Sequence, residues 1–514
     1  MKIKLSQISK ITALLVVFFM ADKVVALVRQ VIIVRQFGLS LELDAFNVAN
    51  NFPDLLFALI SGGALAMAFI PVLTQTLTLE GQDSAWRLFS RIANLAFVVT
   101  LAIAIIVALL SDQMVQWQVG IAPGFERPQQ ILVAELMRLN LIATIIFSIS
   151  GLVMAGLQAN QHFLLPAAAP LFYNIGQIFG ALILAPQAGY SFGTIQLPAF
   201  GLGVHGLVYG VIIGAALHLL IQVPGLIKFQ YHWQPGINLD DKSVQKVLSI
   251  LGPRLVTMLF IQLIFIVRDN LASRLEPGSV SALTYGWMIF QVPETLIGTA
   301  IGTAMLPSLS TLAAKGDWQE FTKTIEKAIQ SLIVLTIPVA LVLSFGLGSI
   351  ISSAFHFTEQ QTGLVLWVTR GYLVGLAGQS VLEVAVRSYY ARKDAITPLI
   401  AAAINLVVYA VFALLLSKTL GVIGISLSDS LAFTIEAILL LGLFRKRIKL
   451  PTSFTKNLPR GLVGGIIGAV VTAGIVWLFQ DGIGALSASI LGLVIGGLAT
   501  LPIIWKELRQ LTRL

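Results

Sequence analysis

The chain reads as a succession of apolar stretches, each long enough to cross a lipid bilayer, and that pattern leaves few folds open. Hydrocarbon offers no water to backbone N–H and C=O groups, so an apolar stretch of about 20 residues is expected to be a helix. Fourteen such stretches are predicted: 9–38, 44–78, 87–111, 129–157, 162–186, 199–228, 244–274, 278–313, 324–355, 360–390, 396–417, 422–444, 458–480 and 483–505. Only 11% of the 514 residues are charged, against about 25% in an average soluble protein, too few to cover a water-facing surface. The 44 glycines and 19 prolines suit membrane helices, where small residues allow close approach and prolines make tolerated breaks. The chain has no cysteine, which excludes disulfides, thiolate metal sites and cysteine nucleophiles.

The net charge of +9 is mostly topology and not a nucleic-acid footprint. With both termini placed in the cytoplasm, 23 of the 33 Lys and Arg fall on the cytoplasmic side, among them Lys2, Lys4, Lys10, Arg87, Arg91, Lys315, Arg392, Lys393 and the run Arg445, Lys446, Arg447. Three, Arg127, Arg274 and Lys418, fall on the other side, and seven lie within the stretches. Such a bias sets orientation in membrane proteins. The lysines before an apolar 11–21 have the outline of a secretion signal, but Phe19 spoils the small-residue cleavage pattern and apolarity resumes at Val24. The first stretch is therefore read as a retained helix.

The chain repeats itself at an offset of about 235 residues. Arg29, Pro53 and Pro71 recur as Arg268, Pro293 and Pro307. The segment ending at Pro166 matches the one ending at Pro398, each followed by an asparagine, Asn174 and Asn405, and GVHGL (203–207) pairs with GVIGI (421–425). Two halves of six helices in the same order are parallel repeats, a plan in which transporters bind substrate between halves. The expected division is 1–230, 231–450, and an appendage of two helices in 451–514.

Charges inside the stretches are costly, about 2.5–3.5 kcal/mol each at a bilayer centre even on a lenient scale, so they mark function or firm pairing. The first stretch carries Asp22, Lys23, Arg29 and Arg35, and the second carries Asp44 and Asp54. Lys23, Arg29 and Arg35 are six apart, about 240° around a helix, whereas Asp22 and Arg29, seven apart, share a face. Asp44, Asp54 and Asp269 are candidate partners for these cations, and Glu294 follows Pro293 at an expected break. Arg suits bidentate phosphate binding and Lys acts as a point charge, so Lys23 and Arg29 read as a clamp for a diphosphate. Arg35, near a helix end, reads as a snorkelling residue. Arg138 and Arg370 recur in both halves and read either as structural pairs with Glu135 and Glu383 or as cavity cations.

At these residues the chain resembles the MurJ/MviN family of lipid II flippases, within the MOP flippase superfamily. The resemblance is carried by DKVVALVRQVIIVRQFG (22–38), LDAFNVANNFPDLL (43–56), GGALAMAFIPVL (62–73), GLQANQHFLLPAAAPLFYNIG (156–176), LASRLEPGSVSALTYG (271–286), VPETLIGTAIGTAMLPSLS (292–310) and YYARKDAITP (389–398). It implies an all-α polytopic membrane protein of 14 transmembrane helices: two six-helix lobes in a V around a central cavity, plus two C-terminal helices grooved for a lipid tail. It implies a bacterial cytoplasmic membrane protein, monomeric, in contact with membrane lipids and cell-wall synthesis proteins. The cargo it implies is lipid II, carried to the outer leaflet.

By the same resemblance, Arg29 matches a functional cavity arginine and Asp44 a functional acid. Lys23 stands where the family usually has arginine, Phe57 and Met288 stand where further arginines are common, and Gly62 replaces a common glutamate. The seventh-span motif has acid and base exchanged in VRDNLAS (267–273). Arg268, placed in its half as Arg29 is in the first, is expected to point into the cavity and replace charge lost at Phe57 and Met288, with Asp269 facing the lobe interior; the competing reading is a local structural pair. In some members that acid and an asparagine matching Asn405 help bind sodium, but Tyr409 replaces a second polar ligand, which counts against a sodium site. With no Walker motif and five scattered histidines, no catalysis or cofactor is expected, and the driving force is the membrane potential or an ion gradient. The alternatives are a flippase for another polyprenyl-linked glycan, such as an exopolysaccharide or O-antigen unit, and an ion-coupled drug exporter.

Overall fold

A computed structural model describes residues 7–61, 63–193, 195–448 and 457–511. Lys2, Lys4 and Gly62 lie outside the described residues, as do the side chains of Lys10, Arg254, Arg445, Lys446 and Arg447. The chain packs as two compact units, Met1–Asn270 and Leu271–Leu514. The first holds α1 (Gln7–Phe37), α2 (Leu41–Ala49), α3 (Asn51–Leu56), α4 (Gly63–Glu80), α5 (Gln82–Gln116), α6 (Arg127–Ala159), α7 (Leu164–Phe179), α8 (Val204–Leu220), α9 (Val223–Lys228) and α10 (Lys242–Ala272), whose last two residues begin the second unit. The second holds α11 (Ser279–Glu294), α12 (Ala300–Lys315), α13 (Trp318–Gly346), α14 (Gly348–Phe355), α15 (Glu359–Leu373), α16 (Leu376–Ala391), α17 (Ile396–Ile448), α18 (Leu458–Ile483) and α19 (Ala485–Leu511). A two-residue-per-strand hairpin, Ser191–Phe192 with Ile195–Gln196, decorates the loop before α8.

Among the described residues, nine helical segments are long and apolar enough to cross a membrane. Among the described residues each of the fourteen predicted stretches is mostly helical, although 199–228 is non-helical at 199–203 and two others, 396–417 and 422–444, run together in α17 with a kink at Gly421.

The internal repeat is visible in the backbone. Pro53 is followed by a π-helical turn, Phe57–Ser61, and Pro293 by another, Thr295–Thr299. The two loops matched in sequence each place a non-glycine residue in the left-handed region five positions before the matched proline: Gln161 at φ 59° and Lys393 at φ 60°. Gly203 and Gly421, the first residues of the matched GVHGL and GVIGI, adopt nearly the same conformation, φ 54°, ψ −137° and φ 58°, ψ −136°. An L-residue is strained at such angles, so glycine is required at both.

In sequence the second repeat opens near residue 231, yet α10 packs with the first unit. Val244, Val247 and Leu251 of α10 are buried in a core with Phe69, Trp86, Phe89 and Leu152. The segment 229–241, which leads into α10, is strapped along one face of α5. Residues four apart on that face each hold it: Gln82 Nε2 and Trp86 Nε1 donate to the Phe229 carbonyl, Ser90 bonds the Tyr231 hydroxyl at 3.2 Å, and Asn94 donates to the carbonyls of Gln234 and Gly236. Arg91 pairs with Asp241, which also caps α10 by accepting from the Ser243 and Val244 amides. Burial pushes the Tyr231 phenol up, with the Ser90 bond opposing, so it acts as a neutral donor and acceptor.

Helices α7 and α8 meet along glycine. A Cβ added at Gly180 would lie 2.6 Å from the Gly210 Cα, and one at Gly210 would lie 2.8 Å from the Gly180 Cα; one at Gly176 would lie 2.3 Å from the Gly214 Cα, and one at Gly214 2.5 Å from the Tyr173 carbonyl oxygen. Spacings of four on each helix put these glycines on one face, the arrangement that lets membrane helices touch backbone to backbone. This contact fixes where α7 presents Asn174 to α1.

Candidate functional site: an arginine bridged to an acid

The first-stretch charges resolve into one network and several separate groups. Arg29 Nη1 donates to Asn174 Oδ1 at 2.7 Å, and Asn174 Nδ2 donates to Asp22 Oδ1 at 2.8 Å and to the Pro170 carbonyl at 3.2 Å. The shared face of Asp22 and Arg29 is therefore real, and an asparagine from α7 joins them. Asn174 is buried at 4% exposure, while Arg29 is half-buried. A carboxylate, an amide and a guanidinium in series orient the arginine fork. Asn174→Ala is expected to remove both bonds and lower transport about tenfold or more, since hydrogen bonds to charged groups contribute about 1.5–3 kcal/mol; a translocation assay on the inserted variant measures it.

Lys23 is exposed and, among the described residues, makes no hydrogen bond or ion pair; Arg35 is also exposed. Asp44 is buried at 1% in the first turn of α2, whose N-cap Ser40 accepts from the Leu43 amide. A carboxylate there meets the positive end of the helix. Asp54 was expected to partner a cation, but none of its contacts is an ion pair; it faces a cavity inside the first unit. Glu294, also buried, takes hydrogen bonds from Thr299 and Thr295, one to five residues further along the chain at the Thr295–Thr299 π turn, as its place after Pro293 suggested.

Arg268 and Asp269 depart from the expected divergence. Asp269 does face the interior, but Arg268 curls onto it, Nε to Oδ1 at 2.8 Å, with its guanidinium over the Phe265 ring at 4.9 Å. Both are buried, at 7% and 2%, and Asn51 Nδ2 donates to the other Asp269 oxygen at 2.9 Å. Adjacent Cβ atoms do point about 100° apart, but an arginine stem is long enough to close that angle. The geometry is that of a buried structural pair.

Arg138 and Arg370 pair differently from expectation too. Arg138 bonds Asp112 at 2.5 Å and the Ala108 carbonyl at 3.1 Å, while Glu135 lies 3.6 Å from His205. Arg370 bonds the Ser344 carbonyl at 2.8 Å and stacks over Trp367, while Glu383 pairs with Arg387. Arg370 thus sits at the C-terminal end of the preceding long helix, α13, where a cation is favoured by the helix dipole, whereas Arg138 reaches α5 about two turns before its end.

In the second unit Asn405 Nδ2 donates to Glu436 Oε2 at 2.7 Å, both residues buried. Glu436 was not anticipated; its only sequence signal is an acid in an apolar stretch. The repeat thus gives each unit an asparagine bonded to an acid, half-buried Asp22 in the first and buried Glu436 in the second, and among the described residues only the first adds an arginine through a bond of this kind. Met288 is half-buried on α11.

Comparison with known proteins decides the family. The profile described as "MurJ: Lipid II flippase MurJ" matches residues 33–492. The chain belongs to the MurJ lipid II flippase family. It is 29% identical over 469 residues to the lipid II flippase MurJ of Burkholderia cenocepacia, covering 89% of this chain and 87% of that one. It is 26% identical over 497 residues to the probable lipid II flippase MurJ of Thermotoga maritima, covering 96% of each. Among solved structures, a lipid II flippase MurJ in an inward closed conformation superposes with a TM-score of 0.77 at 23% identity, covering 96% of this chain and 99% of that one. An inward-facing multidrug resistance MATE family transporter of the MOP superfamily gives 0.67 at 14% identity, over 85% and 96%. The fold is thus that of MurJ and its MOP relatives, and this MurJ-family chain is an integral membrane protein with several apolar helices.

Proposed function

We propose that this protein carries lipid II from the cytoplasmic to the outer leaflet of the bacterial cytoplasmic membrane by alternating access, as a monomer with both termini in the cytoplasm. The observation that carries the reading is Arg29, half-buried on α1 and held by Asn174, which is itself bonded to Asp22. A planar fork so oriented suits a diphosphate headgroup. Lys23 adds a second, unfixed positive charge on the same helix, and Asp44 sets the acidic side of the site. Arg268 and Asp269 act as a buried brace that keeps Asn51 and α10 together rather than as headgroup ligands. Asn405, with Glu436, belongs to the coupling machinery of the second unit, and cell-wall synthesis enzymes that supply or consume the lipid are the expected partners.

The chain has no nucleotide-binding motif, so the driving force is the membrane potential or an ion gradient. One charge crossing 100 mV is worth about 2.3 kcal/mol, enough to bias two openings of a carrier. The protein is expected to replace the lipid II flippase of a depleted strain, and in proteoliposomes collapse of the potential should slow lipid II movement while ATP removal should not. A direct ATP requirement would refute the coupling. Phe57, packed on Phe147 at 5.0 Å where relatives carry a cation, favours one second reading, a flippase for another polyprenyl-diphosphate glycan; failure to replace the lipid II flippase together with activity on such a glycan would establish it.

A further inference from the structure

The first unit encloses a cavity of about 370 Å³ whose lining includes Asp54, Phe57, Asn140, Phe147, Tyr173 and His218. That volume lies in the range of small-molecule pockets. Phe147 is the hub of its walls: its ring meets Phe57 at 5.0 Å, Tyr173 at 5.1 Å and His218 at 5.3 Å, all edge to face. Asp54 sits one turn before Phe57, and among the described residues no hydrogen bond or ion pair reaches its carboxylate. Asn140 Nδ2 donates to Asn50 at 2.8 Å, Thr144 bonds the Pro53 and Asn140 carbonyls, and His218 Nδ1 bonds Ser150 at 2.6 Å. Asn140 Oδ1 also lacks a donor, but it is fully buried and out of reach of a ligand in the cavity.

The cavity therefore presents the Asp54 carboxyl group, open to a ligand, inside a wall of aromatic rings. A carboxylate is a strong acceptor for a charged N–H donor, and a ring face attracts a cation. We propose that this cavity is a binding site for a small organic ammonium ion, an N–H group bonded to Asp54 and its apolar body held by Phe57, Phe147 and Tyr173. An anion is repelled by Asp54, and a neutral hydrocarbon offers it no donor, so charge and N–H donors together define the ligand class. The site is distinct from the Arg29 network in sign of charge, and its occupation needs no lipid II.

The test uses full-length protein in dodecyl maltoside, a detergent without amine or charge, and 9-aminoacridine, a fluorescent cation bearing N–H donors. Fluorescence titration should give saturable binding of one molecule per chain. Asp54→Asn should weaken it at least tenfold and Phe57→Ala severalfold, with both variants checked for unchanged elution and thermal unfolding. Acridine-9-carboxylate, of similar shape and opposite charge, should not bind. Absence of saturable binding, equal affinity in the wild type and Asp54→Asn, or equal binding of the carboxylate overturns the proposal. Because the readout is binding alone, its failure leaves the flippase reading intact, and failure of lipid II transport leaves this site intact.

Discussion

Arg29→Ala is expected to abolish lipid II translocation while the protein still folds and inserts. Arg29 is half-buried and bonded through Nη1 to Asn174, so truncation deletes the oriented guanidinium and leaves the Asn174 carbonyl without that donor. A diphosphate headgroup leaving water then meets no fixed fork, and each charge-assisted bond lost is worth about 1.5–3 kcal/mol, or about 10- to 150-fold. Two such bonds from one fork multiply, which takes transport below detection. Arg29→Lys keeps the charge and loses the planar pair of donors, so it should retain partial activity. The measurement is depletion-strain complementation with membrane levels followed by immunoblot, together with lipid II translocation in proteoliposomes. Full complementation by a normally expressed Arg29→Ala variant removes this residue from the site.

The second large effect is structural. Gly210→Val should prevent accumulation of folded protein. A Cβ at this position comes within 2.8 Å of the Gly180 Cα and 3.1 Å of the Gly176 carbonyl, and backbone atoms cannot rotate away as a side chain would. Overpacking usually costs about 1–3 kcal/mol; here a branched side chain must push both helices away from each other, so the cost lies at the top of that range or beyond it. Gly474 in α18 is the control, because a Cβ there meets nothing within 4 Å. Gly474→Ala should be neutral or stabilising by up to about 1 kcal/mol, given the better helix propensity of alanine. Thermal unfolding of purified protein separates the two. Near-normal stability of Gly210→Val would show that α7 and α8 do not meet as described.

What the sequence conveys and what it hides divide along physical lines. The apolar stretches are legible because lipid leaves the backbone no choice but helix, and the Asp22–Arg29 face is legible because helical periodicity is local. The left-handed residues at Gln161 and Lys393 sit in loops already matched by their residues. Partner choice is another matter. Arg138 has Glu135 one turn away on its own helix but bonds Asp112 and the Ala108 carbonyl on α5, a choice set by how the two helices pack and not by spacing along one of them. Arg268 and Asp269 look divergent on a helical wheel and meet in space through a flexible stem. Glu436 shows in sequence only as an acid in an apolar stretch, and the orphaned Asn140 oxygen not at all, because both depend on what a neighbouring helix supplies or withholds.

The paired arginines Arg138 and Arg370 carry a consequence for how such proteins evolve. An ancestral duplication that copied six helices copied with them an arginine that reaches back to the preceding long helix, along with the proline-and-π break and the left-handed glycine, and all have survived in both descendants. Arg29 bonded to Asn174 has no such twin at Asn405. In a fused pair of paralogous halves, selection for stability acts on each copy alike, whereas selection for cargo needs only one copy of a given ligand. Features inherited in duplicate therefore report the ancestor's architecture, and features found once report what its descendant was later recruited to move.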